Sequence, residues 1–429
     1  MSGLILQNLE SRGLLVDTSG AGELGPLLGS SQTVYAGFDP SADSLHIGSL
    51  VPLMVLRRFQ LEGHKPLLLL GGATGLIGDP SFKAQERQLQ MEDTVSMRTE
   101  KLTQQVSQWL DFSVGDYSAK IVNNLSWTKE ISALSFLRDI GKYFSVNNMI
   151  RKESVKQRIE RDDAGISFAE FSYIILQAYD FSQLYHLYGC RLQIGGSDQW
   201  GNITAGIDLT RRLYQGAVYG LTLPLVTKSD GSKFGKTESG TIWLDANKTS
   251  PYMFYQFWLN VADNDVYRFL KFFTFLSVEE INEIERIDSL GESRPQAQRI
   301  LAQKVTAWVH GEAALIQVEK ITSCLFSNSL MELKQDDLAQ LEMDGMPFTE
   351  IKSESLSLAE ALVETALAKT PLGEVTIGQA RKLIKQNAIS VNGVKVSDVN
   401  YEIASKDWLP GCYVILKRGK KEFSLVRMA

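Results

Sequence analysis

The sequence predicts an α/β fold: a doubly wound parallel sheet of Rossmann-like kind, a mainly helical second region, and a small α+β region at the C-terminus. Three observations carry that prediction. Thr33–Phe38 is a β-branched and aromatic run ending in Asp39-Pro40, and Pro66–Leu70 is a second continuous apolar run. Continuous rather than alternating apolar runs belong to strands covered on both faces. Between the two, a helical pattern makes residues 33–70 one strand–helix–strand unit, whose natural arrangement is a right-handed parallel crossover. Arg191–Ile194 and Leu223–Val226 then flank a helical pattern from about Asn202 to Tyr214 and repeat the alternation.

Taken in order, the first helix has Ser44 as its predicted N-cap, Leu50, Leu53, Met54, Leu56 and Phe59 as its apolar positions, and Gly63 as its stop. A helical insertion is predicted over about 125–188. From Ser250 to about Leu341 the pattern is helical and starts rich in aromatics, with Tyr252, Phe254, Tyr255, Phe257 and Trp258. Residues 342–356, with Gly345, Pro347 and scattered Ser and Glu, read as a linker. The expected divisions are 1–245, 246–341 and 357–429.

A chain of 429 residues with 44% apolar content fills a sizeable core, which excludes disorder as its main state. No uncharged apolar run is long enough to span a bilayer, and Met1–Leu15 lacks a basic segment ahead of its apolar residues, so neither a membrane span nor a signal peptide is predicted. Cys190, Cys324 and Cys412 are far apart and odd in number, which argues against a disulfide framework or a structural zinc and for a reducing cytoplasm. The net charge of −6 hides an asymmetry: residues 371–429 carry +5 and the remainder −11. A basic tail on an acidic body points to an anionic partner at the C-terminus.

Four constellations carry chemistry. The segment from Phe38 to Ser49 joins a strand to a helix start, where unpaired N–H groups favour a phosphate; His46 adds a donor and Gly48 lets a flat ring approach. Gly71–Lys83 places four glycines beyond the second strand, where ligands of open α/β sheets bind, and Asp79 offers a carboxylate to an ammonium group. Tyr173, Gln177 and Asp180 share one helix face among Phe171, Ile174, Ile175 and Leu176, upstream of Gly195–Asn202. Lys233-Phe-Gly-Lys236-Thr237, in a Gly- and Ser-rich loop, can fold two point charges onto a polyphosphate. At the C-terminus, Thr376–Lys385 reads as a capped helix with Arg381, Lys382 and Lys385 on it. Ser390–Val396 reads as an Asn-Gly hairpin, followed by a cluster of Lys417, Arg418, Lys420 and Lys421.

In this order, Asp-Pro-Ser-Ala-Asp-Ser-Leu-His-Ile-Gly, Gly-Gly-Ala-Thr-Gly-Leu-Ile-Gly-Asp-Pro, Gly-Gly-Ser-Asp-Gln-Trp-Gly-Asn and Lys-Phe-Gly-Lys-Thr closely resemble the bacterial tyrosyl-tRNA synthetases, of class I, over nearly the whole chain. The resemblance implies an aminoacyl-tRNA synthetase: activation of L-tyrosine with ATP, transfer to tRNA(Tyr), Mg²⁺ carried with ATP and no resident metal, and a cytoplasmic homodimer formed through about Phe136–Ile150. It implies Tyr35 and Asp180 as readers of the phenol, and Asp79, Tyr173 and Gln177, with Gln199 nearby, as holders of the ammonium. ATP would meet Gly37, Asp39, Ser41, His46, Gly48, Ser49, Asp198, Lys233 and Lys236, with Lys83 and Arg87 drawn to pyrophosphate. tRNA would meet Arg211, Arg212, Arg381, Lys382 and Lys385. Two positions depart from the family: Ser49 stands where a second histidine is frequent, and Ala36 where some members have cysteine. Altered nucleotide affinity with retained activity is the expected consequence. A tryptophan-specific relative is disfavoured because Tyr35 with Asp180 suits a phenol better than an indole N–H. A synthetase descendant reduced to RNA binding is opposed by His46, Lys233 and Lys236.

Overall fold

The computed structural model describes residues 4–80, 89–152, 155–156, 159, 166–229, 231, 234–237, 240–291, 295–327, 329–344, 346–351, 356–369, 376–419 and 422–428, with backbone only for 236–237. Lys83, Arg87, Lys233, Lys420 and Lys421 lie outside the described residues. The chain divides into two units, residues 1–245 with 262–297, and residues 246–261 with 298–429.

The first unit is built on five parallel strands in the order β3-β2-β1-β4-β5, where β1 is Thr33–Phe38, β2 Lys65–Leu70, β3 Lys120–Asn123, β4 Cys190–Gly196 and β5 Tyr219–Leu223. The chain order reverses between β1 and β4, and their carboxyl ends open the crevice in which such sheets bind ligands. In register, Tyr35 of β1 lies opposite Leu67 on one side and Gln193 on the other. The continuous runs are buried as expected: β2 is exposed only at Lys65 and β5 is buried throughout.

Two boundaries differ from the sequence expectation. The last strand is Tyr219–Leu223, ending where Leu223–Val226 was expected to begin, because Pro224 has no N–H for a ladder. The helix after β1 begins at Leu50, not beyond a Ser44 cap. Ser44 Oγ instead donates to Leu45 O at 2.8 Å and accepts from Gln105 Nε2 at 3.0 Å. The intervening segment is extended because it is bonded elsewhere: Leu244 N donates to Leu45 O and Ile47 N to Ile242 O. A short turn, Ile47–Ser49, then leads into the helix. The predicted helical insertion resolves into short turns over 125–150 and one long helix, Phe168–Tyr188, N-capped by Ser167 and closed by Gly189 in a left-handed conformation.

Helices Asp263–Phe273 and Val278–Leu290 belong to this first unit and not to the following helical region as expected. Buried arginines fasten them. Arg12 donates to Lys271 O at 3.1 Å and Leu276 O at 2.6 Å, and Arg58 donates to Thr274 O. Both guanidinium groups thus sit at a helix C-terminus, where carbonyls are unpaired and positive charge is favoured. A two-stranded hairpin, β6 Lys236–Thr237 and β7 Gly240–Thr241, completes the unit.

The second unit joins helices Pro251–Leu259, Glu312–Ser327 and Gln335–Met343 to a sheet ordered β11-β10-β13-β14-β8. Its strands are β8 Phe348–Ile351, β10 Ile389–Val391, β11 Val394–Val396, β13 Tyr413–Arg418 and β14 Glu422–Met428; β9 Leu356–Ser357 pairs separately with β12 Glu402–Ile403. The expected linker over 342–356 is corrected: Phe348–Ile351 pairs in parallel with Leu425–Met428 as an edge strand, its ladder hydrogen bonds outweighing the polar composition around it. Ile321, Leu325, Leu338 and Leu341 share one core with Tyr413, Ile415 and Leu425, so the helices and the sheet of this unit fold together. The Asn-Gly turn is present, with φ of 47° at Asn392 and 85° at Gly393. Arg381, Lys382 and Lys385 occupy the exposed face of the capped helix Ile377–Lys385, opposite buried Ala380 and Ile384.

Candidate active site

A cavity of about 490 Å³ opens at the carboxyl ends of β1 and β4. It gathers Tyr35, Ala36, Gly37, Asp39, Ser41, His46, Gly48, Ser49, Asp79, Tyr173, Gln177, Asp180, Asp198 and Gln199, residues singled out from four separate sequence segments. Arg211 and Arg212 lie outside it, in the last turn of helix Trp200–Tyr214, each 2.7 Å from Asp208. The cavity grades from a buried end, where Tyr35 is 1% and Asp180 2% exposed, through half-buried Asp79, Gln177 and Gln199, to exposed His46, Gly48 and Ser41.

At the buried end, Asp180 accepts from Trp127 Nε1 at 2.8 Å and from Asn124 Nδ2 at 2.9 Å. Burial drives its carboxyl up to about 7; these two hydrogen bonds oppose the rise and the nearby Asp39 charge adds to it. The Tyr35 hydroxyl, also buried, has no hydrogen-bond partner, and burial followed by the fields of Cys190 and Asp180 raises it well above the ordinary phenol range. It therefore remains an O–H donor throughout the working pH range. Gln193 Oε1, on the neighbouring strand, is likewise buried and unpartnered. Buried polar atoms without partners are costly. Here two of them line the same cavity, which marks that end as built for a ligand carrying a polar group.

Beside it runs a connected polar web. Tyr173 Oη donates to Asp39 Oδ2 at 2.8 Å, and Thr74 Oγ1 to Asp39 Oδ1 at 2.7 Å; Asn124 Nδ2 reaches Thr74 Oγ1 at 3.0 Å. Gln199 Nε2 donates to Asp79 Oδ2 at 2.8 Å, while Asn202 Nδ2 donates to Gln177 Oε1 at 2.9 Å and to Gln199 Oε1 at 3.0 Å. Asp39, expected at the nucleotide, is thus bonded to the tyrosine that was expected at an ammonium. Asp39, Asp79, Asp180 and Asp198 surround one cavity whose described lining contains no lysine or arginine. Such a lining favours a cationic ligand group.

The glycines are dictated by these contacts. A Cβ on Gly71 would lie 1.9 Å from Asp39 Oδ1 and 2.4 Å from Thr74 Oγ1. Gly71→Ala must displace the Asp39 side chain and with it the Tyr173 bond. Expected are about 1–3 kcal/mol of lost stability, as for overpacking, and weaker ligand binding in the cavity, both measurable by thermal melting with and without ligand. At the mouth, His46 Nδ1 accepts from Gly48 N at 3.0 Å, which places the neutral ring's proton on Nε2 as a donor. A Cβ on Gly48 would come within 2.7 Å of that ring, so glycine here serves the histidine cap as well as ligand approach. The His46 ring meets Trp243 edge-on at 6.4 Å. Ser49 and Ala36, the two departures from the family, both line the cavity.

Sequence reasoning missed Asn124, Trp127, Thr74, Gln193 and Trp243 as site residues. Asn124 and Trp127 follow the four-residue β3 and carry no local pattern. Thr74 and Asn202 lay inside quoted motifs but were not singled out. The alternation of β4 offered a signal for Gln193, a polar residue inside a buried strand.

The model for tRNA synthetases class I (W and Y) matches residues 29–327, so the fold and the site place the chain in that class. A second model, the tyrosine–tRNA ligase SYY-like C-terminal domain, matches residues 337–426. The chain is 57% identical over 422 residues to a tyrosine–tRNA ligase of Aliivibrio fischeri, covering 98% of each, and 57% identical over 423 residues to one of Chromobacterium violaceum, also 98% of each. It belongs to the tyrosine–tRNA ligase family. Among solved structures, a C-terminally truncated mitochondrial tyrosyl-tRNA synthetase of Aspergillus nidulans superposes with a TM-score of 0.68 at 31% identity, over 75% of this chain and 94% of the other. A tryptophanyl-tRNA synthetase of Encephalitozoon cuniculi, at 14% identity and a TM-score of 0.53, over 78% of this chain and 89% of the other, shares the fold.

Proposed function

We infer that this chain is a tyrosine–tRNA ligase that activates L-tyrosine with ATP and then passes the tyrosyl group to the 3′-terminal ribose of tRNA(Tyr). The observation that carries the amino-acid assignment is the buried, unpartnered Tyr35 hydroxyl at the same cavity end as Asp180. A substrate phenol there accepts from Tyr35 and donates to Asp180, whereas phenylalanine leaves the Tyr35 hydroxyl unpaired, at about 1–3 kcal/mol, and adds nothing to the two bonds that Asp180 already accepts. An indole N–H can donate to Asp180 but has no lone pair for Tyr35.

The ammonium is held by Asp79, Tyr173 and Gln177, with Gln199 orienting Asp79 through its 2.8 Å bond. That placement brings the tyrosine carboxylate toward the mouth, where ATP lies along Gly37, Asp39, Ser41, Gly48, Ser49 and Asp198. A carboxylate oxygen attacks the α-phosphorus in line. The new acyl–phosphate bond forms as the bond to pyrophosphate breaks, and His46 Nε2–H, Lys233 and Lys236 offset the charge on the phosphates. Lys83 and Arg87 draw the departing pyrophosphate. Mg²⁺ arrives on the triphosphate, since it leans on substrate phosphates more than on protein cages. The ribose oxygen of the tRNA then displaces adenylate from the tyrosyl carbonyl.

tRNA meets Arg211 and Arg212 in one unit and Arg381, Lys382 and Lys385 in the other, all exposed. Two chains associate through the surface that exposes Leu134 (81%), Leu137, Val146, Ile150 and Phe168 (74%) around Phe136–Ile150. The setting is the cytoplasm; no helix among the described residues is long and apolar enough to cross a membrane.

The test is ATP–pyrophosphate exchange with tyrosine, tryptophan and phenylalanine in parallel. Exchange with tyrosine alone is expected; none with any amino acid refutes the adenylation reading. Lys236→Ala is expected to slow adenylate formation by about 100-fold, as for loss of one transition-state contact, with tyrosine affinity unchanged in an equilibrium titration.

A further inference from the structure

The adenylation chemistry needs Lys233 and Lys236 held where a triphosphate arrives, yet their segment is rich in glycine and serine. Between the two lysines stands an aromatic residue. The Phe234 ring stacks on Phe273 at 5.3 Å and 20° and meets Phe269 edge-on at 5.0 Å and 66°. Phe269 and Phe273 are buried, four residues apart on one face of helix Asp263–Phe273. The same helix holds the chain upstream: Asp265 Oδ2 accepts from Ser229 N at 2.9 Å and Ser229 Oγ at 3.0 Å, and Arg268 donates to Thr227 O at 2.6 Å. On the other flank, Ile242 N donates to Gly235 O at 3.1 Å, and Ile47 N to Ile242 O at 3.1 Å. Gly235 has φ +81°, and a Cβ there would lie 2.9 Å from Ile47.

Ser229 and Phe234 are therefore bound to helix Asp263–Phe273, and Gly235 to Ile242 and through it to Ile47, the residue after His46. Arg12 and Arg58 fix the carboxyl end of that helix, and Arg58 lies on the helix that begins just after Ser49. We propose that Phe234 is a positioning residue for the two ATP-side lysines, seated on Phe269 and Phe273, and that Asp265 is the second point of attachment. This rests on the adenylation reading. Phe234 lines the cavity but carries no group that can take part in the chemistry; its aromatic seat sets where its chain neighbours stand, and a displacement of about 1 Å at a reacting centre is enough to cost about 100-fold.

Single-turnover adenylate formation and equilibrium tyrosine binding separate positioning from general structure. Phe234→Ala is expected to lower the adenylation rate constant by about 100-fold, with the tyrosine Kd within about twofold and the melting temperature unchanged. Phe234→Leu, which keeps an apolar anchor, recovers most of the rate; Asp265→Asn loses part of it. In a Lys236→Ala background, Phe234→Ala adds little, because residues acting through one another are non-additive. A wild-type rate in Phe234→Ala overturns the proposal, as do parallel losses in tyrosine affinity and rate, or full additivity with Lys236→Ala. A wild-type protein with no tyrosine-dependent exchange refutes the adenylation reading instead, and this proposal with it.

Discussion

Tyr35→Phe is expected to stabilise the ligand-free protein and, in the same molecule, to erode the preference for tyrosine over phenylalanine. Most substitutions in a core destabilise. This one removes a buried hydroxyl with no partner and leaves the ring in its edge contact with Phe181 at 5.2 Å. The desolvation cost of an unsatisfied hydroxyl is about 1–3 kcal/mol, so calorimetry of the free protein should show a higher melting temperature. On the proposed function, the same hydroxyl is the donor that a substrate phenol satisfies and phenylalanine does not. Competition between tyrosine and phenylalanine in pyrophosphate exchange should therefore shift toward phenylalanine by about tenfold or more, each decade being about 1.4 kcal/mol. A lower melting temperature would show that the hydroxyl has a partner in the free protein and that the cavity end is not strained in waiting for substrate.

The largest loss is expected from Asp180→Asn. Both carboxylate oxygens already accept from buried donors, Trp127 Nε1 and Asn124 Nδ2. An amide cannot replace them, because its NH₂ must face one of two N–H groups. The change therefore opposes donor to donor, and on the proposed function it leaves one carbonyl oxygen in place of a carboxylate as acceptor for the substrate phenol. Hydrogen bonds to charged groups contribute about 1.5–3 kcal/mol, so kcat/KM for tyrosine should fall by at least about 100-fold, or ~2.7 kcal/mol. Because burial raises the carboxyl to about 7, tyrosine binding to the wild type should tighten as pH rises through that value and the acceptor form accumulates. The profile of Asp180→Asn should be flat there. Stability moves in the opposite direction. Between the ordinary 3.8 and about 7 the folded carboxyl keeps a proton that the unfolded one has lost, so this group's contribution declines as pH rises across that window. A pH-independent Kd in the wild type would refute the assignment of Asp180 as acceptor.

The sheet and most of the cavity lining were legible from the chain because their determinants are local. A continuous apolar run such as Pro66–Leu70 can satisfy its backbone only in a covered strand, and a polar triad at helical spacing among Ile and Leu has one face to share. What escaped was set by contacts between distant segments. Ser44 looks like a helix cap until Gln105 and the segment at 242–244 claim its neighbourhood. Phe348–Ile351 reads as linker because its stabilisation comes from β14, about 75 residues later. Asn124 and Trp127 belong to no periodic pattern; their role exists only once Asp180 is buried beside them. The Asp263–Phe273 helix is amphipathic in sequence, but nothing local says that its apolar face receives Phe234.

The backbone stitching of Leu45 and Ile47 to Ile242 and Leu244 bears on the order in which a nascent chain matures. Those partners emerge from the ribosome about 200 residues after His46. At 5–20 residues per second, typical of synthesis, the histidine segment waits roughly ten to forty seconds for the residues that fix it. β1 likewise lacks one of its two flanking strands until Cys190–Gly196 has been made. The α/β unit therefore cannot close as an N-terminal block. Its catalytic end is finished late, by non-local pairing of the kind that slows folding, and a translational pause before residue 196 would leave the apolar β1 edge uncovered.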